Sequence, residues 1–239
     1  MTISARPLAY RDGGTPLSGV LYRDDARPGP RPGIVLVHGG AGLDGHAHGQ
    51  AARYAGLGYA VLACDMFGDG VAGDRERIIG CLTALRDDPA LLARRGQAAL
   101  AVLAADPGTT GRLAAVGFCF GGLAVLTMAR AGTDLAGVVS IHGTLATPAP
   151  AGPGSVRARV LACHGAQDPH VPLAQVTAFA EEMDRAGADW ELVMYGGARH
   201  GFTHSDAASG SVPGVAYHAE ADARSFAAAR AFLTDVFTA

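Results

Sequence analysis

Apolar residues follow two rhythms along this chain. Short, mostly uninterrupted runs occupy 34–37, 59–64, 113–116, 136–141, 160–163 and 190–194. The stretches 46–57, 89–105, 123–131, 173–186 and 217–237 instead carry apolar positions at helical spacing. A strand that is apolar on both faces has both faces covered, so the first set predicts a parallel sheet and the second the helices that cover it. Two further strands, over 3–10 and 17–22, come before a Pro-rich turn, Pro28-Gly29-Pro30-Arg31-Pro32. The alternation predicts an α/β fold, a mostly parallel central sheet with helices on both faces. Only the span 67–92 breaks the rhythm. It is expected to be irregular with a helix over the site, acting as a cap-like or specificity segment.

Composition narrows the class. With 239 residues, 49% hydrophobic and 17% charged, residues 1–239 can form a single large α/β domain with a substantial core. The formal charge of −3 argues against a nucleic-acid partner, which calls for a basic face. No apolar run reaches the roughly 18 residues of a membrane span, so no membrane partner is expected. The opening Met1-Thr2-Ile3-Ser4-Ala5-Arg6-Pro7 lacks a hydrophobic signal region, and the expected location is cytoplasmic. The four cysteines, Cys64, Cys81, Cys119 and Cys163, form no C-x-x-C pair. That spacing suggests neither a zinc ribbon nor a redox motif. Cys64 and Cys163 end apolar runs and read as inert core residues.

Cys119 is different. It sits in Gly117-Phe118-Cys119-Phe120-Gly121-Gly122, between the apolar run 113–116 and a helical stretch. Strand, glycine-flanked reactive residue and helix make the layout of a nucleophile elbow, with cysteine in the usual serine position. So tight a turn needs small residues two positions to either side, and both are glycine. The helix N-terminus behind the sulfur favours a thiolate and a developing oxyanion alike.

A thiol nucleophile needs a base, and the base needs an orienting acceptor. Asp168, in His164-Gly165-Ala166-Gln167-Asp168-Pro169-His170-Val171-Pro172, and His200, in Gly196-Gly197-Ala198-Arg199-His200-Gly201-Phe202, follow Cys119 in that order. Both fall just after predicted strands, where open α/β sheets bind their ligands. Nucleophile, acid and histidine in this chain order match the α/β-hydrolases. The oxyanion hole is expected from the Phe120 N–H and an N–H of the loop His38-Gly39-Gly40, with Gly40 ahead of Gly39. His38 and His142 each follow a strand and are read as pocket lining or strand-end packing. Phe202 would suit an apolar substrate group, although taken alone it reads as core packing. His46 and His48 do not share a helix face and read as solvated positions; Glu220, Asp222 and Arg224 read as a solvated face of the last helix.

On these motifs, together with Cys64-Asp65-Met66-Phe67-Gly68 and His200-Gly201-Phe202, the chain from about residue 34 onward resembles the dienelactone hydrolase family. The resemblance implies an α/β-hydrolase fold, no cofactor or metal, and a Cys119–Asp168–His200 triad. That triad would cleave a small-molecule ester or lactone through a thioester acyl-enzyme; a homodimer is compatible with it. Family members also carry a glutamate that helps form the thiolate, where this chain has Gly39. They hold a substrate carboxylate with two arginines. One corresponds to Arg77, or alternatively Arg75, and the other to His204. With no carboxylate at Gly39, direct contact with His200 is expected to activate the thiol. The alternatives are acyl transfer or isomerisation on the same triad, and an inactive small-molecule-binding relative.

Overall fold

The computed structural model describes residues 2–68, 71, 73–205 and 212–238. Its sheet has eight strands: β1 (Ile3–Asp12), β2 (Thr15–Asp24), β3 (Arg31–Val37), β4 (Ala60–Cys64), β5 (Thr109–Phe118), β6 (Gly137–Ile141), β7 (Arg159–Gly165) and β8 (Trp190–Tyr195). They are ordered β1-β2-β4-β3-β5-β6-β7-β8. β2 pairs antiparallel with β1 and β4, and every other pairing is parallel. The predicted α/β fold, mostly parallel with helices on both faces, is the observed one.

Residue alternation sorts the core into two layers. Val35 and Val37 of β3 and Leu62 of β4 join the layer under α2 (Arg75–Asp87), α3 (Pro89–Ala104), α4 (Phe120–Arg130) and α5 (Leu173–Ala186). Ile34, Leu36 and Val61 join the layer under α1 (Gly45–Ala55) and α6 (Ala219–Thr238). The central strands are buried on both faces, which is why they read as continuous apolar runs.

Two elements depart from expectation. The span 67–92 is more regular than its sequence suggests; of it, residues 69, 70 and 72 lie outside the described residues. Asp74 caps α2 by accepting the Arg77 N–H at 3.1 Å, and Asp88 caps α3 by accepting the Leu91 N–H at 2.9 Å, with Pro89 in its first turn. Such caps contribute about 1 kcal/mol each; they open α2, the helix expected within the span, and α3, which follows the predicted stretch 89–105. α4 begins at Phe120 rather than near 123. Phe120-Gly121-Gly122 is a poor helical opening by propensity. The two glycines pack closely there, a Cβ on Gly121 meeting the Val37 carbonyl and one on Gly122 the Gly143 backbone. The parallel link from β6 to β7 carries no helix, and its residues wall the cavity described below.

Candidate active site

The turn between β5 and α4 places Cys119 at φ 53°, ψ −112°. A left-handed backbone at a side chain other than glycine costs about 1–3 kcal/mol, so its surroundings must enforce it. They do. A Cβ on Gly117 would stand 2.0 Å from the Gly121 carbonyl oxygen, and one on Gly121 would stand 2.1 Å from that of Val37. The Cys119 N–H is held by the Ile141 carbonyl at 3.0 Å and by His142 Nδ1 at 3.2 Å.

Three side chains distant in sequence meet above the strand ends. His200, in the loop after β8, approaches Cys119 Sγ with Nε2 at 3.0 Å and donates its Nδ1–H to Asp168 Oδ2 at 2.7 Å. Asp168, in the loop after β7, accepts the His170 and Val171 N–H groups on its other oxygen, at 2.8 and 3.2 Å. Electrostatics match this geometry. Burial opposes an imidazolium at His200, but the Asp168 carboxylate and the sulfur outweigh it and raise its pKa to about 10. Burial likewise opposes a thiolate at Cys119. The His200 hydrogen bond and charge, then the Phe120 N–H and Arg86, bring the thiol below its ordinary value. Asp168 is also partly desolvated, yet His200 and the loop N–H groups keep its carboxyl low. Both shifts favour the charged form of each partner, thiolate at Cys119 and imidazolium at His200.

The loop after β3 lies against this pair. A Cβ on Gly39 would be 3.8 Å from the Cys119 Cβ and 3.9 Å from His204 Cε1. His38 is fully buried beneath the loop. Its Nε2 accepts the Met66 N–H at 3.2 Å, so its Nδ1 carries the proton and donates to the Gly39 carbonyl at 2.7 Å. That carbonyl and the Gly40 N–H share one peptide plane, so His38 orients the predicted donor. Its ring also stacks toward Phe120, centroids 6.2 Å apart.

A cavity of about 520 Å³ opens over Cys119 and His200. Leu92, Leu123 and Val215 supply apolar wall, Thr144 and Thr147 polar edges, and Arg86 the guanidinium. Arg86 is exposed in the last turn of α2 and makes no ion pair among the described residues. None of the expected substrate-binding residues, His38, Arg77, His142, Phe202 and His204, borders this cavity. Arg77 lies exposed at the other end of α2, and Arg75 is exposed beside it. Phe202 is fully buried, edge-on to the His142 ring at 5.0 Å. His204 stacks on His46 at 3.7 Å, near the side of Gly39 where the resemblance puts a carboxylate.

Two readings of solvated positions are corrected. His46 is half-buried between His204 and Phe118 and bonds Thr203 Oγ1 at 2.9 Å; His48 bonds the Tyr22 hydroxyl at 2.7 Å. Asp222 pairs with Arg53 at 2.8 Å, tying α6 to α1. Arg86 and Thr203 were the residues missed. Arg86 lay within the flagged specificity span, whereas nothing local marks Thr203. Among the described residues no His, Cys, Asp and Glu group of three or more is arranged for a metal ion, and no helix is long and apolar enough to cross a membrane.

Comparison with known proteins identifies the family. The model of the dienelactone hydrolase family matches residues 17–237. A solved structure named m3DLH is 39% identical, with a TM-score of 0.91 and 99% of each chain covered. Another, described as a dienelactone hydrolase-like promiscuous phosphotriesterase from metagenomic libraries, is 38% identical at the same TM-score and coverage. Dienelactone hydrolase from Anabaena variabilis, 24% identical, shares the fold at a TM-score of 0.66 over 84% of this chain and 89% of that one. The chain belongs to the dienelactone hydrolase family.

Proposed function

We propose that this protein is a cysteine hydrolase of small esters or lactones, with Cys119 as nucleophile, His200 as base and acid, and Asp168 as orienter. The single observation that carries the reading is the continuous contact from sulfur to imidazole to carboxylate, 3.0 and 2.7 Å. The Cys119 thiolate attacks the substrate carbonyl carbon, and its electron pair moves to oxygen. The Phe120 and Gly40 N–H groups take up that oxyanion; losing one such donor typically costs about 3 kcal/mol. The intermediate collapses to a thioester as the alkoxide leaves with the proton from His200 Nε2. Neutral His200 then removes a proton from water, which attacks the thioester and releases the acid and the thiol.

The cavity sets the substrate class. Its apolar wall suits a compact hydrocarbon acyl or ring group, and Arg86 at the edge favours an anionic substituent away from the reacting carbonyl. The phosphotriesterase relative makes a neutral aryl phosphotriester the second class to assay. A thiolate already paired at rest is a nucleophile for an electrophilic phosphorus as well.

The test is a brief incubation with an aryl ester, acid quench and intact-mass measurement. An acyl adduct on Cys119 is expected, along with loss of at least about 10⁴-fold in kcat/KM for Cys119→Ala. Full turnover by Cys119→Ala ends the proposal.

A further inference from the structure

Among the described residues only Cys119 and His142 take a left-handed backbone without being glycine, at φ 53° and 42°. They are bonded to each other. His142 lies just past β6, fully buried, with its own N–H on the Cys163 carbonyl at 2.8 Å. Its Nδ1 accepts the Cys119 N–H, so the ring proton is on Nε2, which donates to Thr203 Oγ1 at 2.8 Å. Thr203 Oγ1 also lies 2.9 Å from His46 Nε2. From the Cys119 N–H through His142 to Thr203 Oγ1, donors and acceptors agree. Burial, reinforced by His200, His204 and His46, keeps His142 neutral and so preserves the tautomer that the path requires.

The path joins two loops. One end is the backbone of the nucleophile elbow. The other is Thr203, three residues beyond His200 in the loop that carries it. Beyond the contact between sulfur and imidazole, it is a second tie between the nucleophile and the base. We infer that His142 and Thr203 form a strut that sets the separation of Cys119 and His200, making them positioning residues for the proposed hydrolysis. The inference rests on that reading of Cys119 and His200. A misplacement of about 1 Å between reacting groups can cost about 100-fold in rate, so a strut of this kind has kinetic weight. Two strained residues are then held where strain is useful rather than incidental.

The test uses Thr203→Val, which removes the hydroxyl at nearly constant volume, Thr203→Ser, which keeps it, and His142→Asn. Asparagine tolerates the left-handed backbone and can still accept the Cys119 N–H, but is too short to reach Thr203. Two quantities are measured beside Tm: the pH profile of Cys119 alkylation by iodoacetamide, which needs no hydrolysis, and the single-turnover acylation rate. The other ionisable groups facing the pair, Arg86, Asp168, His164, His170 and His204, are unchanged in all three variants. Thr203→Val is expected to move thiolate formation to higher pH by about one unit and to slow acylation about tenfold at unchanged KM. Thr203→Ser should restore both, and His142→Asn should behave as Thr203→Val. A Thr203→Val profile and rate equal to wild type, whatever its Tm, overturns the strut, as does an equal loss in Thr203→Ser. An ordinary thiol profile in the wild type would sink the nucleophile reading itself, and the strut with it.

Discussion

Cys163 of β7 and Cys119 beyond β5 stand almost level across the sheet: Phe118, Ile141 and Cys163 are paired in register, and Cys119 is one residue further along. Their chemistry is opposite. Cys163 is buried against the Tyr195 hydroxyl at 3.6 Å, and burial pushes its thiol up to about 12. Cys119 has left the strand, opens onto a cavity and meets an imidazole held by a carboxylate. Cys64, at the end of β4, is buried like Cys163 and its thiol is likewise raised. A strand end therefore does not make a cysteine reactive. What sets Cys119 apart is a turn that lifts the sulfur out of the core and an imidazole whose hydrogen bond and charge lower its thiol.

The strongest way to break the contrast is to remove that partner. In His200→Ala, burial remains and still raises the Cys119 thiol, while its main lowering influence is gone. Its pKa should climb above the ordinary 9.0. Wild-type alkylation should hold to lower pH than that of His200→Ala. Ester turnover should drop about 10³–10⁴-fold. Equal alkylation of the two proteins at pH 7 would refute the ion pair.

Gly121→Ala attacks the turn instead. The new methyl collides with the Val37 and His38 carbonyls, so the loop after β3 must shift. Overpacking of this kind costs about 1–3 kcal/mol. A lowered midpoint in urea and a reduced kcat should appear together. A stable variant with intact kcat would show that the elbow has more room than its geometry indicates.

Arg86→Gln sharpens the comparison at the cavity edge. KM for esters bearing a carboxylate should rise up to about fivefold and that for neutral esters should hardly move, since one exposed charge contributes at most about 1 kcal/mol. Equal changes for both substrate types would remove Arg86 from recognition.

The smallest effect is expected at the buried counterpart. Cys163→Ala should leave kcat/KM within about twofold and lower stability by about 1 kcal/mol through the lost sulfur volume. A large loss of activity would contradict its inert role.

Much of this architecture could be read in advance because local patterns and global packing agree. The apolar runs that became β3 to β7 were legible since a strand buried on both faces admits no polar residue. Cys119, Asp168 and His200 were legible too, because an elbow and two post-strand loops leave motifs within a few residues. A helix was expected within 67–92, but the bounds of α2 were not legible, since only Leu85 of its length is buried and it opens on an Asp cap rather than an apolar stripe. Arg86 could not be separated from Arg77 for the same reason: exposed arginines on one helix differ only in which end faces the cavity.

The sequence by itself determined the α/β class, the family motifs and the chemical types placed after each strand. Those follow from periodicity, glycine placement and chain order, which are one-dimensional. Tertiary structure decided what each histidine does. His200 meets a thiol, His38 orients the Gly39–Gly40 peptide, His142 and Thr203 link two loops, and His46 and His204 stack on one another. An imidazole's tautomer and charge depend on which atoms surround its two nitrogens, and those atoms come from segments far apart in the chain.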